Sequence, residues 1–143
     1  MTSSELENLA GIGRLKREAP SAREFEGLVR SGETRLADAS NAALAPESRF
    51  DLAYNAAHAL ALAALRRMGY RSENRYLVFQ VLPHTLGVPA ATWRVLAKCH
   101  ERRNLSEYEG SLDLDDRLLS DVIDAARAVL TALRAVQPPK AEK

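Results

Sequence analysis

Apolar residues recur along this chain at intervals of three and four, which is the spacing of one face of an α-helix. One such stripe consists of Phe25, Leu28, Val29, Leu36 and Ala39. A longer one consists of Leu119, Val122, Ile123, Ala126, Val129, Leu130 and Leu133. Runs that alternate between apolar and polar residues are missing, so no strand is predicted. The pattern therefore predicts an all-α protein with several amphipathic helices.

Capping residues, prolines and glycines mark where these helices begin and end. Ser4 and Glu7 have the spacing of a capping box. Ser21 and Glu24 have the same spacing directly after Pro20. Together these signals predict helices over about residues 4–18, 22–43, 47–68, 73–85, 90–109 and 114–136.

We predict that these helices form an up-and-down four-helix bundle, with an additional N-terminal helix and a short helix between the third and the fifth. The predicted organisation assigns residues 1–20 to an N-terminal accessory helix, residues 21–137 to the bundle and residues 138–143 to a polar tail.

The third predicted helix, RFDLAYNAAHALALAALRRM, is apolar on nearly all sides. Such a helix is either central in the fold or covered on one side by a second subunit. Its polar residues Asp51, Asn55 and His58 follow one another at i, i+4 and i+7, with Tyr54 beside them. This polar stripe has two interpretations: internal hydrogen bonds along a solvated edge, or one wall of a polar, ligand-binding cleft.

The end of the fifth predicted helix, RRNLSEYEG, places an arginine where the core stripe should continue. Arg103 follows Leu96 by seven residues and so lies on the inward side, whereas Arg102 borders the solvated side. A salt bridge from Arg103 to Glu107, four residues later, is the structural interpretation. The functional interpretation is that Arg103 contacts a ligand.

Polar residues next to Arg103 extend this candidate site. His100, Asn104 and Tyr108 follow one another at intervals of four and form one ridge, in which Asn104 is expected to stack on Tyr108. Arg103 and Tyr108 lie about 140° apart around an ideal helix. The reach of the arginine or a bend in the helix would be needed to bring both to one ligand.

Composition sets limits on the function. The 143 residues, 46% hydrophobic and 27% charged, suit one globular domain. The net charge is +1, so any contact with nucleic acid would depend on a local patch. Cys99 is the single cysteine, which precludes an internal disulfide and fits a cytoplasmic setting. A signal peptide is not expected, because the N-terminus, MTSSELENLA, has neither a basic nor an apolar region. A membrane-spanning helix is not expected, because the most apolar stretch, residues 52–65, is too short.

The histidines and the arginines elsewhere in the chain raise two further kinds of site, a metal site and a phosphate-backbone contact. His58, His84 and His100 share no metal-ligand spacing, so no metal and no cofactor are predicted. The most basic segment consists of Arg66, Arg67, Arg71 and Arg75, around a turn with Tyr70 and Tyr76. It is interpreted either as a solvated helix end or as a contact for the phosphate backbone of RNA.

The stretch RFDLAYNAAHALALAAL, followed by a glycine break and a long helix that ends in RRNLSEY, resembles the HEPN superfamily. The resemblance covers about residues 22–136. It implies an up-and-down four-helix bundle, often dimeric, of which many members are metal-independent ribonucleases of toxin–antitoxin or anti-phage systems. Others are partners of a nucleotidyltransferase.

The family's motif is an arginine, a polar residue directly after it and a histidine several residues further on. Arg103 and Asn104 match the first two, and Tyr108 occupies the histidine position. A histidine titrates near 6.5, whereas a tyrosine titrates near about 10 and is a poorer general base at neutral pH. Nuclease activity is therefore less expected than the fold.

Three functional expectations follow. In the first, Arg103, Asn104 and Tyr108 line a cleft at a homodimer interface and bind RNA or nucleotide phosphate, with or without cleavage. In the second, the chain is a non-catalytic interaction module whose polar residues fix helix register. In the third, it is the partner of a nucleotidyltransferase or of an antitoxin.

Overall fold

The computed structural model describes residues 3–110 and 114–140 and confirms the all-α prediction. The helices are α1 (Ser4–Gly11), α2 (Ala22–Ala39), α3 (Pro46–Arg67), α4 (Arg75–Gln80), α5 (Leu82–Thr85), α6 (Ala90–Glu109) and α7 (Asp116–Arg134). Two strands of two residues each, β1 (Lys16–Arg17) and β2 (Tyr70–Arg71), complete the described elements. None of the described helices is long and apolar enough to cross a membrane.

Helices α2, α3, α6 and α7 run up and down. The start of α2 meets the end of α3, where Glu24 and Arg66 are 2.6 Å apart, so α2 and α3 are antiparallel. The start of α3 meets the end of α6, where Asp51 and Arg103 are 3.1 Å apart. Helix α7 in turn is antiparallel to α2. Arg134, at the end of α7, pairs with Glu33, whereas Arg127, about two turns earlier, donates to Ser40 at the end of α2.

Helix α3 is the centre of the bundle, as its apolar sequence predicts. Besides its buried large residues Phe50, Tyr54, Leu60 and Leu65, it buries seven alanines. Because alanine side chains are short, neighbouring helices pack close to the α3 backbone. On the α2 side, Gly32 leaves no room for a side chain, because an added Cβ would lie 2.5 Å from Cγ of Leu60.

The N-terminal segment corrects two predictions. The first helix ends at Gly11 instead of continuing to residue 18, because Gly13 adopts a left-handed conformation with φ +80° that breaks the helix. Its N-cap is Ser3, one residue before the predicted Ser4. The chain then forms β1, which pairs antiparallel with β2. The prediction of no strand was therefore wrong for these two short strands.

The end of α3 corrects the interpretation of the basic segment as a solvated helix end. The side chain of Arg66 is 2% exposed, and its guanidinium donates to the backbone carbonyls of Glu18 and Ala19 at 2.9 and 2.8 Å. It also pairs with the carboxylate of Glu24, which Arg71 contacts as well. These contacts hold the N-terminal segment against the end of the bundle farthest from Asp51 and Arg103.

The remaining helix bounds differ in detail from the predicted ones. The short helix predicted over residues 73–85 is two helices, α4 and α5, and Asn74 caps the first. Helix α6 ends at Gly110, whose φ of +76° closes it as predicted. The last helix begins at Asp116 with Asp115 as its cap. Residues 141–143 of the predicted polar tail lie outside the described residues.

Alanine substitutions at two glycines of α2 are expected to have opposite effects on the free energy of unfolding. Gly32→Ala should destabilise the protein by about 1–3 kcal/mol, because the new methyl group overlaps buried Leu60. Gly27 has no atom within 4 Å of the added Cβ, so Gly27→Ala should stabilise the helix by about 0.5–1 kcal/mol. Urea unfolding of both variants measures the difference. Equal effects at the two positions would contradict the close α2–α3 contact.

The buried arginine gives a second prediction for stability. Arg66→Met should lower the free energy of unfolding by about 1–3 kcal/mol, because it leaves two backbone carbonyls without their donor and removes one of the two arginines that pair with Glu24. Arg67→Met is the matched control, since this neighbouring arginine is partly exposed and donates to the carbonyl of Gln137. Denaturant midpoints that fall equally for both variants would show that Arg66 is not the anchor.

Candidate functional site

A polar cluster lies where the start of α3 meets the end of α6 and the start of α4. We call it the Tyr54 cluster, and its members are Asp51, Tyr54 and Asn55 from α3, Arg75 from α4, and His100, Arg103 and Asn104 from α6. Helical periodicity brings the α3 members to one side, because Asp51 and Asn55 are one turn apart with Tyr54 between them.

The ring of Tyr54 is the centre of the cluster. This tyrosine is 1% exposed, and its hydroxyl lies 2.8 Å from Nδ1 of His100. The other ring nitrogen of His100, Nε2, lies 3.2 Å from the side-chain amide of Asn104, which is exposed. A hydrogen-bonded chain therefore runs from the buried phenol through the imidazole to an amide at the surface.

Two arginines flank the same ring. The guanidinium carbon of Arg103 lies 5.2 Å from the centroid of the Tyr54 ring, and that of Arg75 lies 5.6 Å from it. Both distances are within the range of a cation–π interaction. Two positive charges from different helices thus converge on one buried aromatic ring beside a histidine.

Residues of α3 hold both arginines in place. Oδ1 of Asn55 accepts a hydrogen bond from Arg75 at 3.0 Å, and Oδ1 of Asp51 accepts one from Arg103 at 3.1 Å. The Asn55 amide also donates to the backbone carbonyl of Asp51. The polar stripe of α3 is thereby explained: its side chains position charges that other helices carry.

The cluster favours neutral forms of its titratable groups. Burial and the charges of Arg75 and Arg103 lower the pKa of His100 below its ordinary value. Burial raises the pKa of Tyr54, although the hydrogen bond from Arg75 and the two arginine charges oppose that shift. At neutral pH the imidazole is therefore unprotonated and can accept a proton, while the phenol keeps its own.

Carboxylates border the outer side of Arg103. A cavity of about 180 Å³ is lined by Glu47, Phe50, Asp51, Arg103, Ser106 and Glu107. Glu107 lies 3.8 Å from the Arg103 guanidinium, which is the salt bridge that the four-residue spacing predicts. The side chains of Asp51 and Glu107 are 57% and 64% exposed, so these pairs are in contact with solvent.

Two of the predicted site residues lie outside the Tyr54 cluster. Tyr108 is 89% exposed, so its ring does not stack on Asn104, and that expectation was wrong. The ring of His58 points inward, with its centroid 6.0 Å from that of Phe79, and its Nε2 atom is buried without a hydrogen-bond partner among the described residues. Asp51, Tyr54, Asn55, Arg103 and Asn104 are brought together as predicted.

Two members of the cluster are not among the predicted site residues. His100 lies on the predicted ridge with Asn104, and the structure shows that it bridges Tyr54 and Asn104. Arg75 belongs to the basic turn, and its side chain reaches back to α3. The spacing of His100 to Asn104 was a usable signal. The position of Arg75 depends on how α4 packs and has no such signal.

Cys99, next to His100, is part of the core. Burial raises the pKa of its thiol to about 12, which keeps it protonated and unreactive. Within residues 3–110 and 114–140, no group of three or more histidine, cysteine, aspartate or glutamate side chains is arranged to hold a metal ion.

Comparison of the chain with models of protein families, with curated proteins and with solved structures gives no match.

The buried imidazole of His58 predicts a dependence of stability on pH. Burial, with the charge of Arg75, lowers its pKa from 6.5 to about 4. Below pH 6.5 the unfolded chain binds a proton that the folded chain does not, so this contribution to stability is complete above pH 6.5 and is lost as the pH falls toward 4. The loss between pH 7 and pH 5 should be about 2 kcal/mol.

His58→Leu should remove most of that loss, and urea unfolding at pH 7 and pH 5 measures it. His84→Leu is the matched control, because the His84 side chain is exposed and its removal should leave the pH dependence nearly unchanged. An unchanged pH dependence in His58→Leu would show that another group causes the acid sensitivity.

Proposed function

We propose that this chain is a HEPN-type helical domain that binds the phosphate of RNA or of a nucleotide at the Tyr54 cluster. The observation that carries the proposal is the convergence of Arg75 and Arg103 on the ring of Tyr54, next to the partly exposed His100. Arginine recognises phosphate through planar, paired hydrogen bonds. Two guanidiniums held at fixed positions are therefore suited to one phosphodiester.

The proposal gives each member of the cluster a role. Arg75 and Arg103 bind the phosphate oxygens; Asn55 holds the guanidinium of Arg75 in position, and Asp51 holds that of Arg103 in the free protein. A phosphate at Arg103 competes with the carboxylates of Asp51 and Glu107. Because both carboxylates are more than half exposed, such an exchange costs little desolvation.

If the domain cleaves RNA, His100 rather than Tyr108 is the group that transfers the proton. Its neutral imidazole is a base at neutral pH, and Asn104 and Tyr54 orient its two nitrogens. In this step His100 accepts the proton of the 2′-hydroxyl, the 2′-oxygen attacks the phosphorus, and the bond to the 5′-oxygen breaks as that oxygen takes a proton from the imidazolium or from water. The nucleophile is a hydroxyl of the RNA itself, so no metal ion is required to generate it. Activity of this kind would make the chain a toxin–antitoxin or defence-type ribonuclease.

Tyr108 has a place in this proposal if the protein is a homodimer. Together with Leu105, which is 52% exposed, its exposed ring forms an apolar surface one turn beyond Asn104. In a homodimer formed through the end of α6, this surface is covered and Tyr108 reaches the second copy. Light scattering of the wild type and of Tyr108→Ser measures this association.

Substitution of either arginine tests the binding proposal. Arg75→Ala and Arg103→Ala should each weaken the binding of single-stranded RNA by about tenfold or more, because each removes a charged hydrogen-bond donor. Arg94→Ala is the matched control, since Arg94 is exposed on α6 outside the cluster. Fluorescence anisotropy at one fixed salt concentration provides the measurement. Failure of the parent protein to bind any RNA would reject the proposal.

A non-catalytic interaction module is the second candidate, and a specific observation favours it. Arg103 already has carboxylate partners in Asp51 and Glu107, so its charge is offset without a ligand. If the role of Arg103 is only structural, Arg103→Ala should lower the free energy of unfolding and RNA should not bind. Because the pairs of Arg103 are solvent-exposed, the phosphate-binding proposal predicts a loss of unfolding free energy of under about 1 kcal/mol. A larger loss, measured by urea unfolding, would favour the structural role.

Service to a separate nucleotidyltransferase, or pairing with an antitoxin, is the remaining form of the proposal. A gene for such a protein directly beside the gene for this chain would support it, and co-purification of the two products would test it.

A further inference from the structure

A row of aromatic rings continues from the Tyr54 cluster along α6. Trp93 and His100 are seven residues apart and so lie on the same side of that helix. Tyr76, from α4, sits between them: its ring centroid is 6.2 Å from that of Trp93 and 6.3 Å from that of His100. All three residues are only partly buried.

The row is continuous with the charges of the cluster. Tyr76 directly follows Arg75 on α4, and His100 contacts Tyr54, whose ring both arginines flank. Aromatic surface and cationic surface therefore share one edge of the molecule. Tyr54 itself is buried and has no free face, so any stacking must use the outer rings.

Partly exposed aromatic rings beside arginines are the arrangement that binds single-stranded nucleic acid. The arginines attract the backbone, and each ring offers a face on which an unpaired base can stack. A base in a duplex is already stacked and paired, so it cannot use such a face. A free phosphate would use the arginines but would gain nothing from the rings.

We infer that Tyr76 and Trp93 form a stacking site for an unpaired nucleobase next to the phosphate site of Arg75 and Arg103. The ligand class is thus single-stranded nucleic acid, rather than free phosphate or a duplex. This inference rests on the proposed function, because the base is held next to the phosphate that the arginines bind.

The chain carries its own reporter for this site. Trp93 is the single tryptophan of the sequence, so intrinsic tryptophan fluorescence reports on this position alone. Two ligands are titrated into the full chain: a hexauridylate whose 2′-hydroxyls are methylated to prevent cleavage, and an oligomer with the same backbone that lacks the bases. Both carry the same phosphates, so any difference between them comes from the bases.

The hexauridylate should bind about tenfold more tightly than the abasic oligomer and should quench the fluorescence of Trp93. Tyr76→Leu should reduce its affinity about fivefold and leave the abasic oligomer nearly unaffected. Tyr76→Phe keeps the ring and should behave as the parent does. Urea unfolding of both variants verifies that they are folded.

The possible failures are distinguishable. Equal affinities for the two oligomers, without quenching, would overturn the stacking site and leave the phosphate proposal standing. Tighter binding of a duplex than of the single strand would also overturn it. Binding of neither oligomer would reject the proposed function, and the stacking site with it.

Discussion

Burial of α3 along most of its length, from Ala53 to Arg66, is the constraint on which the rest of this structure depends. A helix surrounded by neighbours must present small side chains where they approach closely, and α3 does so with its alanines. The few larger residues then determine how the other helices are arranged. Leu60 fills the space left by Gly32 of α2, and Phe50 and Leu65 pack nearer the two ends of the helix.

Tyr54 is the buried residue of α3 around which the polar cluster forms. Its phenol is as buried as any alanine around it, yet it carries a hydroxyl that must find a partner. His100 of α6 provides that partner, and the guanidiniums of Arg75 and Arg103 lie over the ring. The requirement to satisfy one buried hydroxyl thus explains the position of His100, and the aromatic ring and the polar side chains of α3 explain those of the two arginines.

The fold was predictable because its signals are local and repeated. Apolar periodicity, the Ser21 cap and the glycine at position 110 together indicate the four long helices. The apolar composition of α3 is typical of a central helix. The errors have physical causes. A glycine at position 13 ends α1 early, and a two-residue ladder is too short to leave an alternating pattern.

The candidate site was predictable only in part, for a related reason. Asp51, Asn55 and Arg103 stand out because each is polar where its own helix should be apolar. The roles of Arg75 and His100 depend on contacts between helices that are distant in sequence, and no single-helix pattern encodes them. Tyr108 shows the converse: its spacing from Arg103 and Asn104 marks it as a site residue, but its side chain points into solvent.

The two hydrogen bonds of His100 have one more consequence. A neutral imidazole that donates from one ring nitrogen must accept at the other. If Nδ1 accepts from the Tyr54 hydroxyl, then Nε2 donates to the oxygen of the Asn104 amide; if Nδ1 donates, Nε2 accepts from the nitrogen of that amide. The orientation of a side-chain amide at the surface is therefore coupled to the direction of a hydrogen bond inside the core, and a change at either end is transmitted to the other.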